Sequence, residues 1–310
     1  ALRIYVDSLV TLIAAAQEED GYLYTTRTID PVNMAPGAGR ERWIDERVSH
    51  ELYNVGHMYE AAVAHFLATG SNDFLNVALK NAELIASEFG WGLREIAPGH
   101  QEIETGLIKL YELTGNNQWL ELARFFIDVR GKQEDYIRHP AGSRFEVYND
   151  SVYLQMHLPV LEQKEAVGHA VRGAYMYTAM ADLSRATGDN SYLEASEEIW
   201  KDVTGGKIYI TGGIGSKEYG EAFGEPYELP NMTAYTETCA SVANVFWNHR
   251  LYSATGDAKY LDVLERTLYN GLISGISQDG CRFYYPNPLE SDGRFERAGW
   301  FDCSCCPVNV

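Results

Sequence analysis

The sequence predicts an all-α fold. Three features carry that prediction: a recurring helix-turn-helix signature, helical spacing of apolar residues on both sides of each copy, and long glycine- and aromatic-rich inserts between copies. The signature reads Ala68-Thr69-Gly70-Ser71-Asn72-Asp73-Phe74-Leu75, then Leu113-Thr114-Gly115-Asn116-Asn117-Gln118-Trp119-Leu120. It returns as Ala186-Thr187-Gly188-Asp189-Asn190-Ser191-Tyr192-Leu193 and as Ala254-Thr255-Gly256-Asp257-Ala258-Lys259-Tyr260-Leu261. In each copy the glycine stops one helix in a left-handed conformation, and a polar residue caps the next, which opens on an aromatic-leucine pair.

Taken in order, the periodicity predicts a first helix over 4–18, then hairpins 49–68 with 75–89 and 101–113 with 118–130. Two more follow, 167–186 with 191–203 and 237–254 with 258–274. Consecutive hairpins of this size build an α/α barrel or an α-solenoid. The inserts at 131–165, 205–236 and 276–304 are too long for hairpin turns, and loops of that length face ligands. Loops gathered at one mouth suit a barrel better than a solenoid, in one domain over 1–310.

At 310 residues the chain is long enough to bury a sizeable core, and its 45% apolar content is ordinary for a globular protein. A net charge of −19 excludes a nucleic-acid partner, which needs a basic surface. No apolar stretch is long enough for a transmembrane helix. The opening Ala1-Leu2-Arg3-Ile4 is amphipathic, unlike a signal peptide. The chain starts without Met and stops beside its densest cysteine cluster, which reads as a fragment. Three of the five cysteines crowd into 303–306, a poor disulfide framework that points to reduced thiols or a metal site, and so to a reducing, cytoplasmic location. The 21 Tyr and 6 Trp suit a sugar-binding cleft as well as a core.

The chemistry gathers in Tyr235-Thr236-Glu237-Thr238-Cys239 and Cys303-Ser304-Cys305-Cys306-Pro307. Thiolates and carboxylates are good Zn²⁺ ligands, and four of them close a tetrahedral shell. Residues two apart share a side only in extended backbone, so Glu237 and Cys239 are expected on a strand-like stretch before a helix starting near Ala240. Pro307 is expected to turn Cys305 and Cys306 into an irregular chelating loop. A closed structural site of Cys239, Cys303, Cys305 and Cys306 is the competing arrangement. Gly212-Gly213-Ile214-Gly215-Ser216 lacks the spacing of a phosphate cradle.

These pieces resemble glycoside hydrolase family 127, the β-L-arabinofuranosidases. The likeness runs through Tyr53-Asn54-Val55-Gly56-His57, Pro98-Gly99-His100, Gly168-His169-Ala170-Val171-Arg172, Thr211-Gly212-Gly213-Ile214-Gly215-Ser216 and Gly220-Glu221-Ala222-Phe223. It continues through Glu237-Thr238-Cys239, Asn287-Pro288-Leu289-Glu290 and Cys303-Ser304-Cys305-Cys306-Pro307. The resemblance implies an (α/α)6 barrel followed by β-rich domains, of which this chain would lack the last barrel helices and everything after. With those helices absent, the exposed apolar faces of the first and last hairpins are expected to give either poor solubility or a homo-oligomer.

The resemblance also implies Zn²⁺ held by Glu237, Cys239, Cys305 and Cys306, with Cys305 as nucleophile and Glu221 as general acid/base. Sulfur would then play the part that a carboxylate plays in most retaining glycosidases. His57, His100, His169 and Tyr285 would bind the sugar, an L-arabinofuranoside of oligosaccharide or small-molecule form. Three other readings stand beside this one: a hydrolase of another plant pectin furanoside, an α/α-barrel sugar epimerase with histidines moving protons and a structural Cys/zinc site, and a non-catalytic carbohydrate-binding domain.

Overall fold

A computed structural model describes residues 2–132, 138–300 and 305–310. Among them there are no β-strands, only isolated bridges such as Ile208 with Ile214. The chain divides into two compact units, residues 1–149 and 150–310.

The first unit holds α1 (Leu2–Ala16), the short α2 (Thr25–Ile29) and α3 (Glu46–Ser49), and then two hairpins. These are α4 (Glu51–Thr69) with α5 (Asp73–Glu88), and α6 (Ile103–Thr114) with α7 (Asn117–Asp128). The second unit holds α8 (Ala170–Thr187) with α9 (Asn190–Asp202), α10 (Thr238–Thr255) with α11 (Ala258–Arg266), and the short α12 (Cys305–Asn309). The predicted helices agree with these to within a turn at each end. The last one is the exception: beyond Arg266 it widens into π-helical backbone at Thr267–Leu272 and tightens to a 3-10 turn at Ile273–Gly275.

The repeat does what its chemistry demands. Gly70, Gly115, Gly188 and Gly256 all take left-handed backbone (φ 67–75°) and return their N–H to the carbonyl four residues back. Asn116, Asp189 and Asp257 then cap α7, α9 and α11 by accepting the N–H two residues on. The first copy follows the same register: Ser71, the residue after Gly70, accepts the Asp73 N–H on its Oγ at 3.2 Å.

The threonine before each glycine has a role the pattern alone did not disclose. Its hydroxyl donates to the i−4 carbonyl at 2.7–2.8 Å and accepts the N–H two residues later at 3.1–3.2 Å, bridging the helix end to the turn. The aromatic that follows, Phe74, Trp119, Tyr192 or Tyr260, is buried in every copy.

Inside the first unit α4 and α6 touch backbone to backbone. A Cβ on Gly56 would lie 2.6 Å from Ile103 N, and one on Gly106 would lie 2.5 Å from Gly56 O. That approach sets His57, next along α4, 3.3 Å from Glu102 at the start of α6. In the second unit α8 is buried along nearly its whole length, packs against α10, and carries Arg172 and Asp182 with their side chains inside. No helix among the described residues is long and apolar enough to cross a membrane.

Candidate active site

In the second unit, residues far apart in sequence meet at the N-terminal ends of α8 and α10. Gly168 stands first. Its φ of +66° and a would-be Cβ 2.1 Å from Val152 O exclude any other side chain, and the backbone then turns into α8 at His169. His169 Nδ1 accepts the N–H groups of Val171 and Arg172 at 3.2 and 3.4 Å. With Nδ1 an acceptor, the ring proton sits on Nε2, which points at Glu221 Oε2 at 2.7 Å. Burial pushes the His169 pKa down, so this contact is a hydrogen bond from a neutral imidazole.

Glu221 lies in the short turn Tyr219–Glu221, itself at φ +51°, an uncommon backbone for a residue with a side chain. Its other oxygen, Oε1, accepts from the hydroxyls of Tyr235 at 2.8 Å and Tyr285 at 3.2 Å. Burial raises this carboxyl, but the hydrogen bonds from His169 and the two tyrosines outweigh it and hold the pKa down to about 2.

Next to Glu221 sits the cysteine cluster. The ligand atoms of Glu237, Cys239, Cys305 and Cys306 all lie within 4.8 Å of one another. Cys239 Sγ is 3.4 Å from Cys306 Sγ, and Cys305 Sγ is 4.0 Å from it. Glu237 Oε1 is 3.7 Å from both Cys305 and Cys306. A tetrahedral ion with sulfur at about 2.3 Å and oxygen at about 2.0–2.2 Å sets donor-to-donor edges of about 3.5–3.8 Å. The two carboxylate-sulfur edges match that shell, and the two sulfur-sulfur edges lie within about 0.2 Å of it. Hydrogen bonds from Cys239 and Cys305 pull the Cys306 thiol down to about 6, while hydrogen bonds with Cys305 and Cys306, and then burial, raise Cys239.

The backbone delivers these donors differently from expectation. Glu237 is extended (φ −53°, ψ 141°) as the residue before α10, but Cys239 already lies in the first helical turn. Glu237 makes no cap bond to α10, and its carboxylate faces the cysteines instead. Cys305 and Cys306 open α12 rather than an irregular loop. Pro307 sits in that first turn, where a missing N–H costs nothing. Cys303 lies outside the described residues.

Tyr285 joins the two halves. Its hydroxyl donates to Glu221 Oε1 and accepts from Cys305 Sγ at 3.7 Å, so the carboxylate and the thiol stand one hydroxyl apart. Cys239 and Cys306 are buried and Cys305 is half-buried, so Cys305 is the most exposed of these three residues.

The other two predicted residues, His57 and His100, belong to the first unit, where they come together around Tyr53. The Tyr53 ring lies 4.5 Å from that of His57 and 4.2 Å from that of His100. Burial lowers the pKa of His57 to about 4, so its contact with Glu102 is also one from a neutral ring. Tyr53, Glu102 and Tyr235 escaped the sequence reading. Tyr235 stands in the quoted motif two residues before Glu237, the one signal that could have found it.

The chain is all-α with a cysteine-carboxylate cluster beside a hydrogen-bonded glutamate, and its fold matches the glycoside hydrolase catalytic domains of (α/α)6-barrel type. This chain belongs to the family of the β-L-arabinofuranosidase GH127 catalytic domain, whose model matches residues 1–310. It is 40% identical, over its whole length and 50% of the relative's, to a non-reducing end β-L-arabinofuranosidase of Bifidobacterium longum subsp. longum.

Among solved structures, a GH127 β-arabinofuranosidase superposes with a TM-score of 0.92 at 52% identity, covering 99% of this chain and 47% of that one. A GH127 β-L-arabinofuranosidase from Geobacillus stearothermophilus T6 gives 0.90 at 45%, covering 99% and 50%. The chain therefore spans about half the length of these relatives. A GH76 α-mannanase of Bacteroides thetaiotaomicron shares the fold alone, with a TM-score of 0.52 at 14% identity, covering 76% of this chain and 64% of that one.

Proposed function

We propose that the chain carries the catalytic centre of a retaining, exo-acting β-L-arabinofuranosidase. The observation that carries the proposal is the Tyr285 hydroxyl held between the Glu221 carboxylate and the Cys305 thiol, at the edge of the four-donor cluster. The choice of sugar rests on the activities named for the relatives.

Glu237, Cys239, Cys305 and Cys306 are the residues to hold Zn²⁺, and the ion would keep Cys305 deprotonated. In the first half-reaction Cys305 Sγ attacks the anomeric carbon while Glu221 gives a proton to the leaving oxygen, so a C–S bond forms as the C–O bond breaks. In the second, Glu221 takes a proton from water, the water oxygen bonds to the anomeric carbon, and the C–S bond breaks. Two inversions give net retention.

Glu221 must be protonated for the first half-reaction, whereas three hydrogen-bond donors keep it ionised in the free chain. The same three donors fix where its two oxygens point, so they orient the acid for the leaving oxygen. His169, held at its other nitrogen by backbone N–H groups, orients Glu221 from one side, and Tyr285 serves as a sugar ligand.

The test is zinc content and turnover of an aryl β-L-arabinofuranoside, on this chain and on Cys305→Ser. One zinc per chain, turnover in the parent and a folded, inactive variant are expected. Zinc without turnover on any furanoside would turn the cluster into a structural site, and a chain that binds no zinc would remove the basis of the proposal.

A further inference from the structure

Asn287, from the Asn287-Pro288-Leu289-Glu290 motif, has no part in the chemistry above, yet it is tied to the segment that carries the site. Its N–H donates to Tyr235 O at 2.8 Å. Its Nδ2 donates to Thr236 O at 2.9 Å and Thr238 Oγ1 at 3.0 Å, with a longer contact of 3.4 Å to Tyr285 O. In return Thr236 Oγ1 donates to Asn287 O at 2.5 Å. Thr238 completes the join, its N–H on Tyr285 O at 2.9 Å and its hydroxyl on Tyr284 O at 2.7 Å. Residues 235–238 and 284–287 are thus laced together without forming a strand.

At the centre of the lacing Thr236 is strained. It is buried and takes φ +36°, where a β-branched residue is a genuine outlier. Such strain persists only where the surroundings over-determine it, and it concentrates at functional sites. Here the surroundings are Asn287 on one side and, on the other, Gly215 O, which accepts the Thr236 N–H at 2.7 Å.

The kink separates two side chains with different tasks. Tyr235, before it, reaches Glu221, and Glu237, after it, reaches the cysteines. Ordinary extended backbone would send residues 235 and 237 to one face, so their separate destinations depend on the strained residue between them.

We infer that Asn287 and Thr236 form a positioning clamp that sets the proton-transfer half of the site, Glu221 with Tyr235 and Tyr285, in register with the cysteine half. Neither clamp residue touches Glu221 or the cysteines. They act through Tyr235, Tyr285 and Glu237. The inference rests on the proposed glycosidase reading for its kinetic consequences, and stands apart from it for its effect on the cysteine cluster.

The test compares the parent chain with Asn287→Ala and Tyr235→Phe by two measurements. One is the visible absorption of the Co²⁺-loaded protein, which reports thiolate ligation and needs no turnover. The other is kcat/KM on two arabinofuranosides, one with a dinitrophenyl leaving group and one with an alkyl leaving group that needs a proton. Tyr235→Phe removes one hydrogen bond to a charged group and should lower kcat/KM for the alkyl glycoside about 10- to 100-fold. The dinitrophenyl glycoside should change by less than about 3-fold, because its leaving group needs no acid. Its cobalt spectrum should match the parent's.

Asn287→Ala should show the same leaving-group discrimination together with an altered cobalt spectrum. Asn287→Ala with the parent's spectrum, or equal losses on both glycosides in either variant, would overturn the clamp. If Asn287→Ala does not fold, Thr236→Ala carries the same two expectations. A parent that binds cobalt but turns over no furanoside would refute the glycosidase reading, and the cobalt spectra alone would then decide the clamp.

Discussion

Replacing Gly56 by alanine puts the packing of the first unit to a quantitative test. In an unhindered helix interior, Gly→Ala stabilises by about 0.8–1 kcal/mol. Here the added methyl would meet three backbone atoms, Ile103 N at 2.6 Å, Glu102 C at 2.7 Å and Ile103 Cα at 2.8 Å. Backbone cannot swing aside as a side-chain tip can, so α4 and α6 must part. Overpacking of this kind costs about 1–3 kcal/mol, and contact with backbone places it at the upper end. Setting the propensity gain against about 3 kcal/mol leaves a net loss of about 2 kcal/mol. Urea denaturation followed by circular dichroism should show the midpoint lowered by about 0.5–1 M. Gly205→Ala is the control, since a Cβ there meets nothing within 4 Å. A Gly56→Ala chain as stable as the parent would refute the backbone-to-backbone contact and the placement of His57 beside Glu102 that depends on it.

Three other outcomes follow from features of the two units. Thr236→Gly should be more stable than Thr236→Ala by about 1 kcal/mol or more, the reverse of the helical order, because alanine keeps the left-handed penalty that glycine escapes. Thermal melts of the pair decide it, and the opposite order would mean that Thr236 is not strained. Cys306→Ser should abolish stoichiometric metal binding by elemental analysis, whereas Cys281→Ser, at an exposed thiol outside the cluster, should leave it unchanged. Burial, then the neighbouring Glu51 carboxylate, push the Glu46 carboxyl well above its ordinary value of 4.5. Above that value the folded chain keeps a proton the unfolded chain releases, so stability falls as pH rises, by at most about 1.4 kcal/mol per unit. Glu46→Gln should flatten that fall in urea titrations above about pH 5, and an unchanged slope would count against a raised Glu46 carboxyl.

The helices were legible because their signals are local. Gly70, Gly115, Gly188 and Gly256 announce stops that the backbone obeys, and the caps at Asn116, Asp189 and Asp257 are read from neighbouring residues. Even there the threonine hydroxyls were hidden, because a polar residue in the pattern does not say which backbone groups it bridges. The cysteine cluster was legible as chemistry, but the set Glu237, Cys239, Cys305 and Cys306 came from the family resemblance, and a four-thiolate set including Cys303 stood beside it. Its backbone was not legible, because tertiary packing extends α10 back to Thr238 and winds Cys305 into a helical turn. Tyr235 on Glu221 was the harder omission. Tyrosine is common enough to pass as core, and the contact crosses a loop whose course depends on Gly220 and Glu221, both at positive φ.

The stop-and-start turn described for the hairpins has a consequence for how such a scaffold changes over time. Each Thr-Gly-cap turn is built locally: the hydroxyl, the left-handed glycine and the cap exchange hydrogen bonds with their own neighbours. In the second unit the catalytic candidates lie instead in the inserts and at the opposite helix ends, before α8 and before α10. Mutation at one end of a hairpin is thereby insulated from the other. An ancestor could rewrite the loop bearing Glu221, or recruit a new sulfur beside Glu237, without renegotiating how any helix ends. The same insulation offers a practical route for grafting, in which the turns stay constant and only the insert ends are varied to accept a different sugar.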